Sequence, residues 1–159
     1  MQSKTEIKLL AECSEQIPCL AKLWYEQIGQ FWSDTSIEEA KQKLMKQTNR
    51  IQLPITFVAF KHHQAVGMVS LRKQDSISSK FTPWLGSLVV APAYRHQKIG
   101  EELIIAAKQH AVQLGYTTLY LLTFDQTIPD WYRKLGWEIV NTEQALGRPV
   151  TIMRILLKS

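Results

Sequence analysis

The segment that most limits what this chain can become runs from Trp84 to Thr123. It reads as an apolar strand (Trp84–Val90, WLGSLVV), a loop, a long helix and a second apolar strand (Thr118–Thr123). From Ile99 the apolar residues fall at Ile99, Leu103, Ala107, Ala111 and Leu114, one face of a helix, while Glu101, Glu102, Lys108 and Gln109 lie mostly on the other. Gly115 supplies a stop. Pro92 cannot donate a ladder hydrogen bond, so it closes the strand before it. If the two strands are parallel neighbours, the segments that follow them open at one end of the sheet, outside the strand C-termini.

The remaining elements fit around this unit. Glu6–Leu10 is strand-like, and Ile17, Leu20, Ala21, Trp24 and Ile28 follow helical spacing with Pro18 in the first turn. Ser36-Ile37-Glu38-Glu39 is a capping box that opens a second helix, whose buried stripe continues through Ala40 and Leu44. Pro54–Phe60 and Ala65–Leu71 form a hairpin about Lys61–Gln64, with His62 and His63 as exposed turn residues. Thr118–Thr123 is apolar on both faces and therefore central. Thr127 caps a short helix that stops at Gly136. Trp137–Val140 and Val150–Leu157 complete the sheet. The predicted fold class is α/β: a mixed, mostly antiparallel sheet of about seven strands with helices on both faces, in one domain spanning residues 1–159.

Composition narrows the functions. The hydrophobic (45%) and charged (21%) fractions are those of an ordinary globular protein. No apolar run is long enough to span a bilayer, and Met1–Leu10 lacks the layout of a signal peptide, so the expected location is cytoplasmic with no membrane partner. Cys13 and Cys19 fit neither a disulfide framework nor a zinc site, and no metal is expected. The net charge of +5 is scattered from Lys4 to Lys158 without a basic block, which points away from nucleic acid and toward a mild attraction for polyanionic ligands. His110 borders the apolar face of the long helix as a hydrogen-bonded packing residue.

Arg95, His96, Gln97 and Lys98 stand at the mouth of that helix, where the backbone is already partly positive. Cations there make sense if an external anion such as a phosphate sits among them. A P-loop is excluded, because Lys98-Ile99-Gly100 lacks the glycine spacing and the Lys-Ser/Thr pair. The second conspicuous stretch is Trp131-Tyr132 on the short helix after the next strand.

Leu88-Val89-Val90-Ala91-Pro92-Ala93-Tyr94-Arg95-His96-Gln97-Lys98-Ile99-Gly100 resembles motif A of the GNAT superfamily of acyl-CoA-dependent N-acetyltransferases, V-x-P-x-x-R-x-x-G-x-G/A. Trp131-Tyr132-Arg133-Lys134-Leu135-Gly136-Trp137 resembles its second signature, [LF]-Y-x-K-x-G-[FW]. The element order matches that family over essentially the whole chain.

The resemblance implies that backbone N–H groups from about His96 through Lys98, Ile99 and Gly100 to Glu101 hold the pyrophosphate of acetyl-CoA, with Arg95 opening the loop and Gly100 allowing close approach. It implies that Leu88 and Val90 pair with the pantetheine arm as an added strand, and that a backbone N–H on the Leu88–Val90 segment, Val89 included, steadies the thioester oxygen. Tyr132 stands where the family has the tyrosine that protonates the CoA thiolate, and a phenol near its reference pKa of about 10 suits that task. Asp125 lies near a cofactor-contacting position. Lys98 departs from the family, which usually has glycine there; the substitution matters if that residue's φ must be positive. The general base is open among Asp75, Asp125 and water, and Ser87 could hold that water. Trp24, Tyr25, Phe31 and Trp32 are candidates to wall the acceptor pocket. The expected activity is acetyl transfer from acetyl-CoA to a primary amine, by a monomer or homodimer. The rival is a non-catalytic acyl-CoA sensor, which turnover with an amine panel separates.

Overall fold

The computed structural model describes residues 4–32, 34–75, 80–145 and 147–158; the side chain of Trp32 lies outside that set. Seven strands form one sheet: β1 (Glu6–Leu9), β2 (Ile55–Lys61), β3 (Gln64–Arg72), β4 (Trp84–Val90), β5 (Thr118–Thr123), β6 (Glu138–Ala145) and β7 (Arg148–Leu156). Their order across the sheet is β1-β2-β3-β4-β5-β7-β6. Every pairing is antiparallel except β4 with β5, which is parallel. The mixed, mostly antiparallel sheet expected from the sequence is therefore present, with β4 and β5 as neighbours.

Helices cover both faces. On one, Leu103 and Ala107 of α4 (Ile99–Gln113) pack on Phe57, Val69 and Leu71 of β2 and β3. On the other, Leu20 and Ala21 of α1 (Ile17–Trp24) and Ala40 and Leu44 of α3 (Ile37–Met45) meet Val58, Met68 and Val89. Each leucine buried in this way contributes about 1.5–3 kcal/mol of burial free energy. β5 follows the expected central placement: Leu119 and Leu121 are buried on the α4 side, while half-buried Tyr120 and Leu122 join Trp84 and Ile152 on the other.

Local chemistry explains the connections. His62 and His63 both take positive φ (51° and 64°), as a two-residue hairpin turn requires, and both are exposed. Ser36 Oγ accepts the Glu39 N–H at 3.1 Å, and the Glu39 carboxylate takes the Thr35 hydroxyl, so half of the capping box forms. α4 ends in a Schellman motif at Gly115 (φ 92°), with Tyr116 N–H donating to Ala111 O and Gly115 N–H to Val112 O. His110 packs edge-on against Phe57 and its Nε2 lies 2.9 Å from Arg50 O.

Two details depart from the sequence expectations. α1 runs on through a π turn at Tyr25–Gly29 into α2 (Gln30–Trp32), an insertion that 3.6-residue spacing does not reveal. Thr127 does not cap α5 (Pro129–Lys134), whose N-cap is Ile128. Asp125 organises that entry instead: its Oδ1 accepts the Thr127 N–H at 2.8 Å and the Thr127 hydroxyl at 2.7 Å, an Asx turn. Among the described residues no helix is long and apolar enough to cross a membrane, and no group of three or more His, Cys, Asp or Glu residues could hold a metal ion.

Candidate active site

The parallel neighbours β4 and β5 share a single ladder pair, which joins the first residue of β4 to the middle of β5. Trp84 pairs with Tyr120, and Tyr120 N–H donates to Pro83 O at 3.1 Å. Among the described residues no further ladder pair joins the two strands, so their facing backbone edges beyond that point form an unpaired slot. The other side of β4 is irregular at the same level. Met68 faces Val89 and Ser70 faces Gly86, so β4 spends one residue more than β3 over the same length. That extra residue is a bulge at Ser87, a non-glycine residue at φ 53°.

The bulge sets which backbone groups face the slot. Ala91 N–H donates to Val66 O at 2.7 Å, so the groups of Ala91 point to β3. By antiparallel alternation those of Val89 do the same, and those of Leu88 and Val90 point into the slot. The Val89 side chain is core, and only main chain is available there.

At the open end stands the N-terminus of α4. Among the described residues no side chain caps it. Its first intrahelical bond is Glu102 N–H to Lys98 O, which leaves the N–H groups of Ile99, Gly100 and Glu101 as the orphan donors of the first turn. Arg95, His96, Gln97 and Lys98 are exposed around them, whereas the Ile99 side chain is buried and can offer only its backbone. His96 (φ 64°) and Lys98 (φ 65°) are both left-handed, and Lys98 is the N-cap. The position that carries lysine in place of glycine therefore does demand positive φ. Arg95 turns back from the loop, donating through its side chain to Gln27 Oε1 at 2.6 Å and to Val90 O at 3.4 Å.

α5 follows β5 and meets the start of α4 through Trp131. A Cβ built on Gly100 would lie 3.5 Å from the Trp131 ring, an ordinary contact, so the indole stands directly against the first turn of α4. Tyr132 sits edge-on between Trp131 (4.9 Å between centroids) and Trp137 (5.8 Å). A second Schellman motif fixes this cluster: Gly136 takes φ 100°, and Trp137 N–H returns to Tyr132 O at 3.1 Å. The Gly-Trp pair thus folds the tryptophan back onto the tyrosine. Burial pushes the Tyr132 phenol well above its ordinary value, which corrects the expectation of a value near 10.

The carboxylates divide. Asp125 is exposed, and its bonds from the Thr127 hydroxyl and N–H hold its carboxyl below the usual aspartate range; it shapes the entry to α5. Asp75 Oδ2 and Arg72 Nη1 both lie within 3.2 Å of the position a Cβ on Gly86 would take. Arg72 Nη2 donates to Ser87 Oγ. Burial lowers the Arg72 pKa, with Asp75 opposing that shift, and its Nε is buried without a hydrogen-bond partner among the described residues. Sequence reasoning missed Arg72. Trp24 and Tyr25 are half-buried beside the π turn, and Phe31 is 59% exposed. A cleft of about 870 Å³ between α4 and β7, lined by Ile105, Lys108, Arg154 and Leu156 among others, includes none of the loop residues.

Comparison with known proteins agrees with this geometry. The model of the Acetyltransferase (GNAT) family matches residues 20–137. Among solved structures, the chain is similar to an aminoglycoside 6'-N-acetyltransferase complexed with coenzyme A, at 18% identity and TM-score 0.75, covering 97% of this chain and 98% of that one. It is also similar to the PaiA N-acetyltransferase of Thermoplasma acidophilum in complex with coenzyme A, at 24% identity and TM-score 0.72, covering 96% and 99%. A GNAT-family acetyltransferase from Streptococcus pneumoniae gives 20% identity and TM-score 0.71, covering 98% and 100%. No curated protein sequence matches.

Proposed function

The chain belongs to the acetyltransferase (GNAT) family, with acetyl-CoA as cosubstrate, and on that premise we propose that it is an N-acetyltransferase acting on a primary amine by direct attack in a ternary complex. The observation that carries the proposal is the unpaired slot between β4 and β5 together with the uncapped start of α4, against which α5 sets Trp131 and, packed on it, Tyr132.

In this reading the N–H groups of residues 99–101 and the left-handed turn at His96–Lys98 hold the pyrophosphate, and the surrounding cations add attraction. Leu88 and Val90 pair with the pantetheine arm as a missing strand would. The amine approaches from the face covered by α1 and the π turn, and its proton passes to Asp75 or to water. Tyr132 delivers its proton to the departing thiolate. Burial makes the phenol a weaker acid, and the same burial makes a thiolate more basic, so the two stay matched. We place this activity in the cytoplasm, in a single domain of residues 1–159.

The test is steady-state turnover on a panel of primary amines, read by free-thiol release, for the wild type and Tyr132→Phe. The variant should keep its fold and its acetyl-CoA affinity while kcat falls about 10²-fold and KM stays. Wild-type kcat in a stable Tyr132→Phe protein removes Tyr132 from the chemistry. Tight CoA binding without turnover of any amine by the wild type would favour a sensor.

A further inference from the structure

Seven residues make up β4, WLGSLVV, and Ser87 is the one among them with a hydroxyl; the Trp84 indole N–H is already spent on Phe81 O. Its place is specific. Trp84 closes the slot at one end and Val90 reaches the phosphate loop at the other, so Ser87 lies about 10 Å from each at roughly 3.3 Å per residue. An arm that enters at Val90 and runs down the slot must stop before the Trp84–Tyr120 bridge. Its reactive end therefore comes to the level of the bulge.

The hydroxyl is held in one sense. A guanidinium has donors and no acceptor, so in the bond from Arg72 Nη2 the Ser87 oxygen accepts. The serine proton is then turned away from Arg72. A hydroxyl that accepts from a cation is also polarised into a better donor. Arg72 is fixed in that role: its head is buried, Nη1 packs with Asp75 Oδ2 over Gly86, and a side chain on Gly86 would displace both. The positive φ of Ser87 is a position at which glycine costs least, yet serine occupies it.

Resting on the reading that the acyl donor lies along β4, we infer that Ser87 is a catalytic residue whose hydroxyl, oriented by the positioning residue Arg72, donates a hydrogen bond to the thioester oxygen as it becomes an oxyanion. The amine nitrogen forms the new C–N bond, and the carbonyl π pair moves onto oxygen, where the Ser87 O–H meets it. On collapse that pair re-forms C=O and the C–S bond breaks, with its electrons leaving on sulfur. The Tyr132 proton goes to sulfur and the amine proton to Asp75 or water. The Ser87 proton stays on Ser87 throughout.

Two variants separate this from a structural role. Ser87→Ala and Ser87→Gly both remove the hydroxyl, but only glycine relieves the left-handed backbone, so Ser87→Gly should melt above Ser87→Ala. Despite that difference both should lose kcat equally, by about 10²-fold, with KM for acetyl-CoA unchanged. Arg72→Met should lower kcat much less in the Ser87→Ala background than in the wild type, because Arg72 orients the hydroxyl that Ser87→Ala has already removed; equal losses in the two backgrounds overturn that positioning role. Wild-type kcat in Ser87→Gly, or losses that track melting temperature, overturns the inference. A wild type that turns over no amine overturns the enzymatic reading itself, which is a separate result.

Discussion

Lys98 offers a perturbation in which backbone and charge can be read apart. It is the N-cap of α4 at φ 65°, where a Cβ costs roughly 1–2 kcal/mol. Glycine removes that cost but brings about 0.4–1 kcal/mol of extra chain entropy to the unfolded state. Lys98→Gly should therefore stabilise the ligand-free protein by about 0.5 kcal/mol. With an unfolding entropy of about 0.3 kcal/mol/K for a chain of this length, Tm rises about 1.5 °C. Lys98→Ala keeps the Cβ and should show no such gain.

Charge gives a different ordering. A lysine about 4 Å from one phosphate charge in water-like surroundings is worth about 1 kcal/mol, or about fivefold in Kd. Both variants should lose that factor in calorimetric titrations with CoA near 0.01 M salt, where the screening length is about 30 Å. The difference from wild type should vanish near 1 M salt, where it is about 3 Å. Equal melting of the two variants would refute the backbone argument. Wild-type affinity in Lys98→Ala at low salt would show that the ammonium points into solvent.

Other consequences are equally direct. Cys13 is buried, its Sγ lies 3.4 Å from Leu9 O, and burial with Glu15 and Glu12, against Lys8, pushes its thiol up to about 11. Mass spectrometry after iodoacetamide at pH 8 should find Cys19 alkylated and Cys13 protected; equal labelling would contradict the buried placement. Because Tyr132 holds its proton more tightly folded than unfolded, the unfolded chain binds fewer protons above pH 10, and stability should fall there by about 1.4 kcal/mol per pH unit. Chemical denaturation from pH 9 to 11 checks this, and Tyr132→Phe should flatten the slope. Leu103→Ala on the buried face of α4 should cost about 2–5 kcal/mol in the same assay.

The parts of this molecule that the sequence made legible are those that one element encodes in its own spacing. The stripe from Ile99 to Leu114 determines a helix, and the helix between two apolar segments makes β4 and β5 a parallel pair. Gly115 and Gly136 mark Schellman ends because both take a φ that other residues avoid. Thr127 was misread for a local reason: Asp125, two residues earlier, takes both its N–H and its hydroxyl, and an Asp-x-Thr pattern is the signal for that turn.

The reactive part of the site was harder to see because no single segment holds it. The π turn at Tyr25–Gly29 adds a residue to a helix whose apolar spacing reads as regular, and Gly29 is needed because the Trp24 ring lies across its Cα. The bulge in β4 is likewise a difference of register, three steps on β4 against two on β3, and neither strand carries the mark alone. A glycine at the bulge would have flagged it. Serine stands there at φ 53° instead, tied to an arginine fifteen positions earlier. A chain that keeps a side chain where glycine is cheaper, at the point where its sheet opens, places the cost of that backbone on the hydroxyl. The same residue therefore breaks the local rule and supplies the donor.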